Sequence, residues 1–320
     1  MDQNEKISMV AVVGSTAGGK SRLAVQLARQ LNGEVVSCDS MQIYRRINIG
    51  TAKPTADEME GIPHHLIDFA EPDTPFSCAD YVSAAKDVIA DIHKRGKLPV
   101  VCGGTGLYLE RLLLGGGDAD AAEPDLSVRE KWQTYAEING NRALHEALRR
   151  VDAESADAIH ENNVHRVIRA LEIFETTGVP KSQWDRQSKA LVSDYDCVTV
   201  GLRYNDRRLL YSRIDRRVDA MLEAGLLTEA ENLMREGVFE RNATAAQAIG
   251  YKELLPYIRG EEPNLQVVVE RLKTATRRYA KRQITWFSAK SYVHWIDADA
   301  NGVRRSDGEI LSDALEKVIR

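Results

Sequence analysis

Residues 14–21 read GSTAGGKS, directly after the apolar run MVAVV at 9–13. Gly14, Gly19, Lys20 and Ser21 fit the phosphate-binding pattern G-x-x-x-x-G-K-[ST], with Ser15, Thr16, Ala17 and Gly18 as the intervening residues. The pattern requires a strand before it and a helix after it. Here a buried run precedes it and the amphipathic stretch KSRLAVQLARQL follows. Glycines let backbone N–H groups turn inward onto phosphate oxygens, and the helix N-terminus adds its dipole. Lys20 would supply a point charge, and the Ser21 hydroxyl would ligate Mg²⁺.

The acids around this loop narrow the chemistry. A nucleotide hydrolase places a carboxylate after an apolar strand to hold Mg²⁺ and orient water. The run LPVVC at 98–102 instead passes into GGTGLYLE, with no carboxylate before Glu110, and no guanine-reading N-K-x-D string occurs. The run EVVSC at 34–38 does end on an acid, Asp39. In open α/β sheets the ligand crevice lies at the carboxyl ends of the strands. A carboxylate there suits removal of a proton from an acceptor better than activation of water beside a metal. The competing reading is that Asp39 caps the next helix. GGTGLY at 103–108 is a second glycine-rich turn after a strand. Gly103 and Gly104 permit close backbone approach, and the hydroxyl and N–H of Thr105 can donate to an anion. The two loops then form two walls of one site.

The elements that must hold these loops follow from the hydrophobic pattern. The runs 9–13, 34–38, 98–102, 197–202 and 292–296 are continuous rather than alternating, as parallel strands covered on both faces are. Helical patterns at 20–31, 78–95, 206–223, 227–236 and 265–288 separate them. Strands spaced by helices predict a P-loop-type α/β fold with a doubly wound parallel sheet. Residues 124–190 contain no strand-like run and predict a smaller all-helical insertion domain, with hinges at 113–125 and 179–187. The core is then 1–123 and 191–320.

Bulk properties exclude several classes. The 320 residues carry a formal net charge of −5, so a polyanionic partner must meet a local basic patch. One exists: in RLKTATRRYAKR at 271–282 half the positions are Lys or Arg, including Arg277, Arg278, Lys281 and Arg282. Its basic face could track phosphates; the plainer reading is a solvated helix face. Cys38, Cys78, Cys102 and Cys197 form no CxxC pair and read as thiols of a reducing compartment. The polar N-terminus lacks a signal-peptide core, and no stretch reaches the ~18 apolar residues of a membrane span. A cytoplasmic protein without a membrane partner is expected. His64 and His65 lack a third ligand at useful spacing and read as structural or positioning residues.

Together these motifs resemble the tRNA dimethylallyltransferase family, also called tRNA isopentenyl-diphosphate transferases. The resemblance runs nearly the whole chain: GSTAGGKS (14–21), DSMQIYRRINIGTAKP (39–54), HHLID (64–68), FSCADY (76–81), GGTGLYL (103–109), HRVIRALEI (165–173), AIGYKE (248–253) and RRYAKRQITWF (277–287). Ser15 stands where proline is usual, and Gly18 where serine is usual. Eukaryotic relatives carry a C-terminal zinc finger that this sequence does not show, which points to the bacterial form.

The resemblance implies transfer of a five-carbon chain from dimethylallyl diphosphate to N6 of adenosine 37, beside the anticodon of tRNA. The loop at 14–21 would hold the diphosphate leaving group, with Mg²⁺ on Ser21. Asp39 would take the N6 proton. Thr105 and an arginine, Arg217 or secondarily Arg213, would complete the catalytic set. The target base must leave the anticodon stack to react. By similarity Asp39, Ser40, Met41, Gln42, Thr105, Arg129 and the run His165, Arg166, Val167, Ile168 and Arg169 would contact the tRNA. The insertion would act as a second jaw around the anticodon stem-loop, and a monomer is expected. Rival readings are an adenylate isopentenyltransferase acting on free AMP, ADP or ATP, a P-loop small-molecule kinase, and a non-catalytic RNA-binding module.

Overall fold

The computed structural model describes residues 6–114, 125–190 and 193–319, with backbone alone at 188–190. The chain divides into two compact units: Met1–Glu110 with Tyr195–Arg320, and Arg111–Asp194.

In chain order the first unit runs β1 (Ile7–Gly14), α1 (Lys20–Gln30), β2 (Gly33–Cys38), α2 (Ala56–Met59), β3 (His64–His65), α3 (Cys78–Lys94), β4 (Leu98–Gly103) and the start of α4 (Gly106–Leu114). The second unit holds α5 (Leu126–Val151), α6 (Ala153–Ala158), α7 (Val164–Thr177) and α8 (Lys181–Ala190). The first unit resumes with β5 (Tyr195–Arg203), α9 (Arg207–Glu223), α10 (Leu226–Arg235), α11 (Val238–Arg241), α12 (Ala243–Ala246), α13 (Tyr251–Ile258) and α14 (Leu265–Ser288). It closes with β6 (Val293–Asp297), the short hairpin β7 (Asp299–Ala300) and β8 (Val303–Arg304), and α15 (Asp307–Val318).

The main sheet has the order β3-β2-β4-β1-β5-β6, and every pairing is parallel. Both faces are covered, which is why β2 is buried at every position and why its sequence shows no alternation. The register aligns the strand ends. Gly103 pairs with Val13 on one side and Cys38 on the other, and Gly14 pairs with Leu202. The chain therefore leaves β1, β2 and β4 at one edge, carrying the residues after Gly14, Cys38 and Gly103 to the same place.

Five strands were expected, and the sheet has six. The extra edge strand, His64–His65, pairs only with Val35 and Val36. The hinge expected at 179–187 is corrected: residues 181–190 form α8. Of the other hinge, residues 115–124 lie outside the described residues.

Among the described residues, two apolar clusters stand out in the first unit. One lies on the sheet, with Val10, Val12, Leu23, Leu27, Val100, Val200, Ile214 and Ile310. The other packs Ile43, Tyr44 and Ile47 against Val218, Leu226, Leu233, Tyr251, Leu254, Val268 and Leu272. The helical unit has its own core, in which Leu144, Leu148, Ala170 and Leu171 join α5 to α7. Among the described residues no helix is long and apolar enough to cross a membrane.

Candidate active site

Helix α1 starts without a cap. Gly19 holds a left-handed φ of 100°, no side chain accepts from the first-turn amides, and that turn contains no acid. The orphan N–H groups of a helix start are thus left for a ligand, the arrangement that binds phosphate. Within the loop, Ser15 is buried and its carbonyl accepts from Gly18 N at 3.1 Å and from Lys20 Nζ at 3.3 Å. Burial lowers the Lys20 pKa, with Asp39 and Cys102 favouring the charged form.

Asp39 follows β2 and enters a turn rather than a helix. Its Oδ1 accepts from Met41 N at 2.9 Å and Gln42 N at 3.4 Å. The capping expected as an alternative is therefore present in the form of an Asx turn. It occupies one oxygen; Oδ2 has no hydrogen-bond partner among the described residues.

A cavity of about 580 Å³ at this sheet edge is lined by Thr16, Lys20, Ser21, Asp39, Arg217 and Arg282, with Ser40, Met41 and Gln42. The phosphate loop and the strand-end acid thus share one chamber. Ser21 and Asp39 both line it, and their hydroxyl and carboxylate oxygens are hard donors of the kind Mg²⁺ takes alongside substrate phosphates. Among the described residues no group of three or more His, Cys, Asp or Glu could form an all-protein metal cage.

The two candidate arginines on α9 separate. Arg217 lines the cavity and donates through Nη2 to Ala52 O at 3.4 Å. Burial lowers its pKa, opposed by Glu58 and Asp39. Arg213 instead donates through Nε to Ala17 O at 3.0 Å, bracing the loop from its backbone.

The second glycine turn is positioned by close approach. A Cβ on Gly103 would stand 1.9 Å from Cys38 O, so only glycine lets the turn lie against β2. Thr105 is corrected in part: its N–H already donates to Cys38 O at 3.3 Å and is not open to an anion. Its hydroxyl accepts from Ser40 N at 3.1 Å and also hydrogen-bonds the Tyr279 side chain, which lines the same cavity.

Sequence reasoning missed Gln283, a buried glutamine of α14. Its Oε1 accepts from Thr16 N at 2.8 Å and its Nε2 donates to Gly104 O at 3.1 Å, so it ties the two loops together. It stands four residues after Tyr279, which also lines the cavity. A glutamine in a basic helix gives no sequence signal.

The basic helix divides. Arg277 donates through Nη1 to Asp215 on α9 at 2.6 Å. Arg278, Lys281 and Arg282 are exposed and form no ion pair among the described residues. Arg277, expected to face phosphate, thus also ties α14 to α9.

In the helical unit, Arg129 and Arg169 both bond the fully buried Glu172, at 2.9 and 2.7 Å. His165 and Arg166 are exposed. Val167 is 0% and Ile168 5% exposed, so side-chain contacts from these two to tRNA are corrected: their helical period turns them into the core. His64 bonds Ile62 O through Nδ1 at 2.8 Å and His65 bonds Glu34 through Nε2 at 2.7 Å.

Comparison with known proteins gives a single answer. Residues 42–290 match the family model described as IPP transferase. The tRNA dimethylallyltransferase of Caldanaerobacter subterraneus subsp. tengcongensis is 49% identical over 294 residues, 92% of each chain. That of Bacillus cytotoxicus is 47% identical over 319 residues, covering 99% of this chain and 96% of its own. A crystal structure of tRNA isopentenylpyrophosphate transferase from Bacillus halodurans matches with a TM-score of 0.69 at 43% identity, over 98% of this chain and 97% of that one. A eukaryotic dimethylallyltransferase acting on tRNA gives a TM-score of 0.80 at 32% identity, over 96% and 77%.

Proposed function

Because the chain belongs to the IPP transferase family, we propose that it transfers a dimethylallyl group from dimethylallyl diphosphate to N6 of adenosine 37 of tRNA, releasing diphosphate. The observation that carries this reading is the shared chamber: Lys20, Asp39 and Arg217 face one cavity, with the uncapped loop of α1 at its wall.

The division of labour follows from charge. The adenine N6 lone pair is delocalised into the ring, so the amine is a weak nucleophile. As N6 bonds to the allylic carbon and the C–O bond breaks, the amine must lose a proton. Asp39 receives it, on the oxygen that the turn amides leave free. General-base assistance of this kind contributes typically about 10²–10⁴-fold. The departing diphosphate gains charge, which the loop amides, Lys20 and Arg217 neutralise in place. Ser21 would hold Mg²⁺, which when bound adds Lewis-acid neutralisation of the phosphate oxygens. The Thr105 hydroxyl, fixed by Ser40 N, is set to orient the base.

The tRNA is held by the exposed cations Arg278, Lys281 and Arg282 on α14 and Arg166 in the helical unit, with the exposed His165 beside Arg166 as a further polar contact. The enzyme works as a monomer in the cytoplasm. The test is mass analysis of nucleosides from tRNA incubated with the protein, Mg²⁺ and dimethylallyl diphosphate. A gain of one five-carbon prenyl unit on adenosine is expected. Transfer to free AMP but not to tRNA, or no transfer at all, overturns the reading.

A further inference from the structure

The segment 48–54, NIGTAKP, forms one wall of the cavity through Gly50, Thr51, Ala52 and Pro54. Its one cation, Lys53, takes no part: Nζ donates to Tyr44 O, Asn48 Oδ1 and Asp68 Oδ1 at 2.7, 2.7 and 2.6 Å. The wall acts through its backbone. Ala52 O accepts from Arg217 Nη2 at 3.4 Å and from Gln42 Nε2 at 3.2 Å, and Thr51 O accepts from Gln42 Nε2 at 3.1 Å. Two residues that line the reaction chamber are thus aimed by two carbonyls of this segment.

Something must hold that backbone in turn. Three successive amides of the same segment converge on the carboxylate of Glu229 in α10. Asn48 N donates to Oε2 at 3.1 Å, Ile49 N to both oxygens at 3.0 Å, and Gly50 N to Oε1 at 3.1 Å. Tyr251 adds its hydroxyl to Oε1 at 2.6 Å. A row of amides in this form is an anion-binding concavity, and the two oxygens of the Glu229 side chain accept from all of them. The contact is tight: a Cβ on Gly50 would stand 2.4 Å from the Tyr251 ring.

We propose that Glu229 is a positioning residue for the transfer, which sets the 48–52 backbone and through the carbonyls of Thr51 and Ala52 aims Gln42 and Arg217 at the reacting groups. The inference rests on the proposed function. Glu229→Gln keeps size and shape but turns an N–H₂ toward backbone donors. It is expected to lower kcat by roughly ten- to hundredfold, the scale of a misplacement of about 1 Å, while the KM for tRNA stays within about threefold. Since part of the effect runs through Arg217, the loss in the double variant with Arg217→Lys should be smaller than the product of the two single losses. A kcat within twofold of wild type, or losses that multiply in the double variant, overturns the proposal. Tyr251→Phe, which removes one donor and leaves the amides in place, should lower kcat in the same direction and serves if Glu229→Gln does not fold; an unchanged kcat there counts against the proposal. If the wild-type protein transfers nothing, the proposed function fails. Amide exchange at residues 48–50 then still decides the role of Glu229: faster exchange in Glu229→Gln supports it, and unchanged exchange overturns it.

Discussion

Gln283 accepts the backbone amide proton of Thr16 at 2.8 Å across 267 positions of sequence, while its own amide group donates to Gly104 O. The phosphate loop after β1 and the glycine turn after β4 are therefore held at a fixed spacing by one side chain of α14. Replacing it by Leu leaves two polar backbone groups without partners in a buried place. The expected cost is about 1–3 kcal/mol for such an unsatisfied group, read from denaturant unfolding. A fall in turnover should accompany it. Gln283→Leu with wild-type stability and wild-type turnover would show that the tie is idle.

The arginines of α9 should separate kinetically. Arg217 lines the cavity, so Arg217→Ala removes neutralisation of the leaving group and should cut kcat by about 10²–10³, the effect of deleting one such donor elsewhere. Arg213 holds the Ala17 carbonyl. Arg213→Ala should chiefly raise the KM for dimethylallyl diphosphate. Steady-state kinetics in the two variants check the assignment, and the reverse pattern would exchange the roles.

The basic helix yields a salt test. Each lost phosphate contact lowers the slope of log K against log salt by about 1. Arg278→Ala and Lys281→Ala should each show this for tRNA binding. Arg277→Ala should leave the slope unchanged and instead destabilise the fold, because its partner is Asp215. Filter binding across a salt series, beside thermal unfolding, distinguishes the two behaviours.

Acid should expose a different cluster. Glu34 is buried, and its carboxyl is held well below the usual carboxylate range, first by Arg95, then by Lys97 and His65 against the cost of burial. A depressed folded-state value means that the stabilisation is complete above the ordinary glutamate pKa. It is lost as pH falls from there toward the folded value. Unfolding free energy should therefore decline on acidification below about pH 4.3, the unperturbed glutamate value. Glu34→Gln should be less stable at neutral pH and show a flatter acid limb. An acid limb of wild-type steepness in the variant would rule out this source.

Much of this was readable in the chain. The strands β1, β2 and β4 announce themselves because parallel strands buried on both faces need unbroken apolar runs. The phosphate loop and Asp39 follow, since both sit where such strands end. The edge strand His64–His65 escaped notice because two residues carry no period, and their type suggests metal rather than pairing. Helix α8 hid behind Val179, Pro180 and Trp184, although proline is at home at a helix start. Val167 and Ile168 looked like partners of tRNA because they sit between Arg166 and Arg169, yet helical geometry turns them inward. The roles of Gln283, Arg277 and Glu229 depend on partners up to 267 residues away, and no local pattern carries such information.

The central claim is that Asp39 removes the proton from the adenine amine while Lys20 and the loop hold the leaving diphosphate. Asp39→Asn keeps the Oδ1 acceptor for the amides of Met41 and Gln42 and deletes only the basicity of the group. Single-turnover transfer from dimethylallyl diphosphate to tRNA is the direct measurement, with tRNA binding followed in the same samples. A rate lower by about 10²–10⁴ with unchanged tRNA affinity is predicted. A variant that transfers the prenyl group at the wild-type rate would contradict it.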